Sequence, residues 1–259
     1  MNYEKLATDI SVWLKDYLTT HKLGCFVVGV SGGIDSAVVS ALCAKTGMPT
    51  YCFSLPINSH ADNNYNAELQ LNWLSKYPNV YTGVKDLSST YKDLSELVSM
   101  SDLSKANTKS RLRMVFLYAM AGNTNGLVVG TGNKVEDFGI GFFTKYGDGG
   151  VDISPIGDLV KSEVRELGRF LGIPNQIITA APTDGLWDDN RQDETQIGAT
   201  YAELEWAMAC SDPKSTVVMP LSERQKEVLA IYAALHIKAI HKLDPIPVFK
   251  VQKIHQNGK

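Results

Sequence analysis

Cysteine is scarce in this 259-residue chain, and none of it is spaced for chemistry. Cys25, Cys43, Cys52 and Cys210 form no metal-binding or redox pattern. Cys25 and Cys52 stand in strand-like runs and Cys43 in an apolar helical run, so these three are read as core residues. His21, His60, His236, His241 and His255 are scattered without zinc-ligand spacing. Charge of one sign is also lacking. The 25 basic and 28 acidic residues leave a net charge of −3, which carries no electrostatic footprint for nucleic acid or a membrane surface. No apolar run approaches the roughly 18 residues a membrane span requires. The N-terminal MNYEKLATDISVWLKDYLTTHK reads as an amphipathic helix, without the basic start and apolar core of a signal peptide. A cytoplasmic protein is expected.

What the chain does have is alternation. Strand-like runs at 25–30, 51–55, 80–84 and 126–130 are separated by helical stretches at 36–47, 63–77, 87–99 and 103–122. This predicts an α/β fold, a doubly wound and mostly parallel sheet with helices on both faces, whose ligands bind at the carboxyl ends of the strands. A further helix is expected over 160–174, with Val160, Val164, Leu167 and Leu171 on one stripe and a stop at Gly172 and Pro174. No repeat or linker divides the chain, so residues 1–259 are expected to form one domain, with a polar, frayed tail from Val251. Segments 58–62 and 184–193 have the composition of mobile loops.

The run GCFVVGVSGGIDSA, residues 24–37, is an apolar strand entering a glycine-rich turn and then a helix. Such a turn presents backbone N–H groups and the positive end of a helix to an anion. Gly32 and Gly33 allow close main-chain approach, and Ser31 and Ser36 add hydroxyls. No lysine follows these glycines, which excludes the common P-loop. Asp35 stands there instead, and a carboxylate beside phosphates requires a divalent cation between them. Two other readings compete. GVSGG fits the nucleophile elbow of α/β-hydrolases, with Ser31 as nucleophile and His236 or His241 as base, but that leaves Asp35 without a role. A tight turn that binds nothing ranks above the elbow and below phosphate binding.

A second concentration lies at 126–155, GLVVGTGNKVEDFGIGFFTKYGDGGVDISP. It reads as a strand followed by a long glycine-rich loop without regular structure, of the kind that is usually functional. Glu136 is the natural second carboxylate for a magnesium ion shared with Asp35. A solvated surface loop would carry charge as well. On the 103–122 helix, spacing puts Lys109, Leu112, Arg113, Phe116 and Met120 on one inward stripe. Basic groups there call for an anion nearby.

SGGIDS resembles the signature loop of the ATP pyrophosphatases. With GTGNKVE, FFTKYGDGGVDISP, NTKSRLRM at 107–114, PTDGLWDDNRQDE at 182–194 and HKLDPIP at 241–247, the chain resembles the ammonia-dependent NAD synthetases. The blocks run in the family's order from residue 29 to 247. The resemblance implies an adenine nucleotide α-hydrolase-like fold, a homodimer, and ATP-dependent amidation of deamido-NAD. It implies that Gly29, Val30, Ser31, Gly32, Gly33, Ile34, Asp35 and Ser36, with Thr131, Lys161 and Thr183, hold ATP. Asp35 and Glu136 would bind Mg²⁺, and Arg111, Lys145, Asp152, His241 and Lys242 would bind deamido-NAD. Arg111 is the family's choice on its helix, whereas spacing favours Lys109 and Arg113. Val135 stands where the family often has serine, and Asp184 where it has a small residue. For ammonia, Asp148 or Asp152 is a candidate proton acceptor, with Asp148 nominated. An aspartate stabilising its turn before two glycines is as common a pattern. With the whole length taken up by synthetase blocks, free ammonia or a separate donor protein is expected to supply the nitrogen.

The rival readings have sequence tests of their own. A tRNA-thiolating ATP pyrophosphatase would show paired cysteines or a basic face. A binding module without chemistry would have little need for both Asp35 and Glu136.

Overall fold

The computed structural model describes every residue except 59, 60, 184, 188–191, 212–214, 216–219 and 252–259, together with the side chains of 61–63 outside its scope. Parts of the loop segments 58–62 and 184–193, including Asp184, and the tail beyond Val251 lie outside the described residues.

Alternation in the sequence becomes alternation in space. In chain order the elements are α1 (Tyr3–Thr20), β1 (Cys25–Gly29), α2 (Ile34–Lys45), β2 (Thr50–Ser54), α3 (Ala61–Leu74), β3 (Val80–Val84), α4 (Ser88–Leu97), α5 (Asp102–Thr124) and β4 (Gly126–Val129). A π-helical turn, Lys134–Ile140, follows, then α6 (Lys161–Leu171), α7 (Asn175–Thr179), α8 (Asp193–Ile197), α9 (Tyr201–Ser211) and α10 (Glu223–Leu243). All strand pairs are parallel, in the order β3-β2-β1-β4, with Val27 opposite Tyr51 on one side and Val128 on the other. The chain therefore winds outward from β1 to β3 and returns to add β4 on β1's far side. That reversal places a crevice at the carboxyl ends of β1 and β4.

Strand β1 is buried on both faces, as a central parallel strand must be. Phe26 and Val28 join the cluster formed with α1, α2, α6 and α7, while Cys25 and Val27 face α5 on the other side. Cys25, Cys43 and Cys52 are buried free thiols, as read from their apolar surroundings. The α6 helix ends at Gly172 in the left-handed conformation (φ +73°).

Two expectations need correction. The inward stripe of α5 is not centred on Leu112, Phe116 and Met120, which are only half-buried. Ala106, Ser110, Met114, Leu117 and Ala121 are buried, with Lys109 beside them. The sheet takes the 110-114-117-121 face, and the expected stripe flanks it by one residue. The stretch after β4 is also not without regular structure, because residues 134–140 form the π-helical turn. Asn133 starts it by accepting the N–H groups of Val135 and Glu136 at 3.1 Å each. A third cluster, of Val135, Ile140, Tyr201, Leu204, Val228 and Tyr232 among others, packs this turn against α9 and α10.

Gly141 closes the π-helical turn at φ +63°, and a Cβ there would overlap the Cβ of Ala239 in α10. Gly141→Ala is expected to destabilise the protein by about 2–4 kcal/mol, the sum of a left-handed non-glycine residue and local overpacking. A lowered midpoint of urea unfolding at unchanged slope checks this.

Candidate active site

The SGGIDS turn leaves β1 and enters α2 at the carboxyl edge of the sheet. Gly32 takes φ +89°, a conformation that favours glycine. Two serines knit the turn together. Ser36 Oγ donates to the Gly33 carbonyl at 3.0 Å and accepts from the Ser31 N–H at 3.1 Å, while the Gly33 N–H donates to Ser31 Oγ at 3.2 Å. Ser31 meets Ser36, and no histidine bonds to it among the described residues; His241 Nδ1 lies against the Lys238 carbonyl and His236 Nδ1 against that of Gly139. The elbow reading therefore lacks its base.

Asp35 lies in the first turn of α2 and Glu136 in the π-helical turn after β4, so the β1–β4 switch point brings them together. Lys161, the first residue of α6, bridges them: its Nζ lies 2.5 Å from Asp35 Oδ2 and 2.9 Å from Glu136 Oε1. Asn133 Nδ2 donates to Asp35 Oδ1 at 3.4 Å, and the Tyr201 hydroxyl donates to Glu136 Oε1. The Lys161 side chain is 5% exposed, and those of Asp35 and Glu136 are 16% and 15% exposed, so the trio lies out of bulk water.

Burial works against all three charges. It raises Asp35 above the ordinary carboxylate range despite Lys161, with Glu136 adding repulsion. For Glu136 burial is outweighed by Lys161 and by the Tyr201 hydroxyl, so its carboxyl is held below that range. The two carboxylates likewise overcome burial for Lys161 and push its ammonium upward. Burial, then Glu136 and Asp193, keeps the Tyr201 phenol protonated. Asp137 is raised well above its ordinary value by burial and then by Asp148, Glu136 and Asp35, and Asp148 is raised by burial.

A cavity of about 270 Å³ opens here. The whole turn from Gly29 to Ser36 lines it, with Thr131, Glu136, Asp148, Lys161 and Thr183, so the expected ATP set converges. Asp148 Oδ1 accepts from Ser110 Oγ at 2.6 Å and from the Thr144 N–H at 3.0 Å. Both readings of α5 find a place. Arg113 lines this cavity with its Nε–H on the Leu55 carbonyl at 2.9 Å, and buried Lys109 donates to the Leu186 carbonyl at 3.0 Å.

Arg111 is exposed and donates to the Lys145 carbonyl at 3.2 Å. Lys145 Nζ reaches the His241 carbonyl at 2.8 Å, and Lys242 Nζ reaches those of Phe143 at 2.7 Å and Gly141. Lys145 and Lys242 line a second cavity of about 500 Å³ with Tyr118 and Tyr146. Arg111 and His241 line neither cavity but adjoin Lys145. Asp152 is exposed and lines neither cavity; it accepts the Val128 N–H at 2.7 Å and the Tyr118 hydroxyl at 3.1 Å. Val135 is fully buried and lines neither cavity.

Asn133, Asp137, Asp193 and Tyr201 were not singled out from the sequence. Asn133 had a usable signal, an N-capping residue ahead of Glu136. Tyr201 had none, because its link to Glu136 spans 65 residues.

Asp35 and Glu136 fit a hard divalent cation: two carboxylates already converge on one positive group. No group of three or more His, Cys, Asp or Glu suited to a metal occurs among the described residues. A pair of carboxylates is a set from which magnesium would complete its shell with phosphate oxygens and water.

The switch-point crevice, the glycine-rich SGGIDS turn and the paired carboxylates define an α/β protein with its site at the carboxyl edge of a parallel sheet. The family model for NAD synthase matches residues 6–245. An NH(3)-dependent NAD(+) synthetase of Carboxydothermus hydrogenoformans is 36% identical over 233 residues, 88% of this chain and 94% of that protein. The NMN synthetase structure from Francisella tularensis superposes with a TM-score of 0.85 at 31% identity, covering 97% of this chain and all of that one. An NH3-dependent NAD synthetase from Campylobacter jejuni, 22% identical, shares the fold with a TM-score of 0.80 over 96% of this chain and all of that one. The chain belongs to the NAD synthase family.

Lys161→Met leaves Asp35 and Glu136 facing each other without their shared cation. Measured without divalent metal at neutral pH, it is expected to cost about 3–5 kcal/mol of stability. Lys161 has a raised pKa, so its own contribution is full below its unfolded value of 10.5 and constant from pH 5 to 8. In the variant the carboxylates' folded pKa values rise above their unfolded ones. The loss is therefore full above the folded values and shrinks as pH falls toward the unfolded range. Urea unfolding of both proteins at pH 5 and pH 8 checks this.

Proposed function

We propose that this chain makes NAD by ATP-dependent amidation of deamido-NAD with ammonia, releasing AMP and pyrophosphate. The observation that carries the reading is the Asp35–Lys161–Glu136 trio at the mouth of the SGGIDS turn, in a chain matching the NAD synthase model from residue 6 to 245. The turn's N–H groups and the start of α2 receive the phosphates of ATP, with Thr131 and Thr183 beside them. Asp35 and Glu136 would hold Mg²⁺, which when bound would supply positive charge against the phosphates. Arg111, Lys145, Asp152, His241 and Lys242 form the deamido-NAD side. Lys145 and Lys242 offer charge to its pyrophosphate, and Asp152 acts through Tyr118 and the β4 backbone.

A carboxylate oxygen of the pyridine ring attacks the α-phosphorus. The new O–P bond forms as the bond to the bridging oxygen of the β-phosphate breaks, and pyrophosphate leaves. Lys161, at the cavity wall, stabilises negative charge growing on the phosphates. Ammonia then attacks the activated carbonyl carbon, the C–O bond to AMP breaks, the nitrogen gives up its extra proton to the AMP phosphate or solvent, and the amide remains. Ammonium must first lose a proton, and Asp148 on the cavity wall is the proposed acceptor. Exclusion of water protects the acyl-adenylate from hydrolysis.

An end-point assay with ATP, Mg²⁺ and deamido-NAD tests the whole. NAD and AMP are expected to appear together only when ammonium is present. AMP without NAD would sink the choice of acceptor, and no product from folded protein would sink the reaction. The Francisella tularensis neighbour, named for NMN, favours a second reading in which the acid form of the mononucleotide is the acceptor. The ratio of kcat/KM for the two acids decides between them.

Asp148→Asn separates chemistry from structure, because Oδ1 keeps both of its donors. It is expected to lower kcat/KM for ammonium by about 10²–10⁴-fold. Asp148's folded pKa is raised above 3.8, so its burial penalty is full above the folded value and vanishes as pH falls toward 3.8. The variant's stability relative to the parent should thus be greater at pH 8 than at pH 5. Full ammonia-dependent turnover would reduce Asp148 to a turn residue.

A homodimer in the cytoplasm completes the reading. No helix among the described residues is long and apolar enough to cross a membrane. On the outer face of α5, Leu103, Val115 and Tyr118 are 61%, 65% and 41% exposed, and nearby Tyr146 is 62% exposed. Val115→Asp is expected to shift sedimentation from dimer to monomer, and a wild-type monomer at micromolar concentration would refute the assembly.

A further inference from the structure

Tyr201 opens α9 and is only 2% exposed. Its N–H donates to Glu194 Oε1 at 2.8 Å, which fixes the start of the helix. Its ring packs with Val135 and Leu204 in the third cluster, and Lys161 Nζ sits over that ring, 4.9 Å from the centroid. The hydroxyl donates to Glu136 Oε1, and its other neighbour is Asp193 Oδ2 at 3.3 Å. A ring needed only for packing would be cheaper as phenylalanine, since a buried hydroxyl loses its water and must regain a partner. Here the hydroxyl's one proton meets a carboxylate that lines the cavity.

We propose that Tyr201 is the positioning residue of Glu136: its hydroxyl pins one carboxylate oxygen and so presets the side chain for a divalent cation. Lys161, a second donor to that oxygen, is shared with Asp35 and stands where both carboxylates meet, while Asn133 also bonds the Glu136 carboxylate from the start of the same turn. It competes with an incoming cation for the same charge, so it is no fixed anchor. Tyr201 carries no charge, reaches Glu136 from the packed side, and keeps its bond when the cation enters. Glu136 needs such an anchor because it rides on a single π-helical turn and has three side-chain torsions to restrain.

The inference rests on Asp35 and Glu136 being the cation's carboxylates, and the experiment separates the two claims. Binding of Mn²⁺ is followed by the electron paramagnetic resonance of the free ion, with α,β-methylene-ATP present, for the wild type and Tyr201→Phe, Tyr232→Phe and Glu136→Gln variants. Thermal unfolding shows each to be folded at the assay temperature. Tyr201→Phe removes one oxygen and no ring contact. It is expected to weaken Mn²⁺ binding by about 10–100-fold, the usual effect of removing an outer-sphere partner. Activity at saturating Mg²⁺ should fall far less than activity at limiting Mg²⁺. Tyr232→Phe, in the same cluster, should leave Mn²⁺ affinity unchanged. Wild-type affinity in Tyr201→Phe, or equal losses in the two tyrosine variants, would overturn the assignment. Wild-type affinity in Glu136→Gln would show that the carboxylate reading itself is wrong, and the role of Tyr201 would fall with it.

Discussion

One buried ammonium holds the functional half of this protein together. Lys161 joins Asp35, on the helix after β1, to Glu136, on the turn after β4, across 126 and 25 residues of sequence. Buried ion groups of this kind contribute little net stability, since desolvation offsets most of their attraction. Their effect is geometric. With Lys161 in place, two carboxylates that would otherwise repel can share one small volume, and the cavity wall between α2, α6 and the π-helical turn has a defined shape.

The layers divide the work. The parallel sheet and its two helical faces supply rigidity, with β1 buried on both sides between the α1/α2/α6 cluster and the α5 cluster. The third cluster, built on α9 and α10, carries little of the sheet's burden. It backs the π-helical turn and delivers Tyr201 to Glu136 and Lys242 to the carbonyls of Gly141 and Phe143. The SGGIDS turn thus belongs to the rigid sheet, while the second carboxylate and the basic rim depend on a separately packed layer.

Much of this was legible in the sequence, and the boundary has physical causes. The strands and their alternation with helices were readable because a buried parallel sheet demands short apolar runs. SGGIDS is legible because a turn that presents its backbone N–H groups demands glycine, whereas GTGNKVE is legible through the family resemblance. The face of α5 was missed by one residue. Lys109, Leu112, Phe116 and Met120 are apolar enough along their stems to mimic the stripe that Met114, Leu117 and Ala121 occupy. The π-helical turn reads as loop, because the glycines on either side of it hide a helical turn capped by Asn133. Tyr201 was invisible: its partner is fixed by the packing of α9, which no local pattern encodes.

Strand order has a consequence for how the molecule comes into being. Cys25 of β1 pairs with the level of Gly126 in β4, so the two central strands that frame the crevice meet only after a hundred residues have been made. Lys161 comes later still, and Tyr201 after that. During synthesis the first three strands can assemble while Asp35 has no cation partner, and the long closure delays the rest. The Asp35–Lys161–Glu136 trio is therefore among the last features this chain can complete. A molecule arrested before α6 docks would possess a sheet, a turn and a helix, yet lack the ammonium that lets the two carboxylates meet.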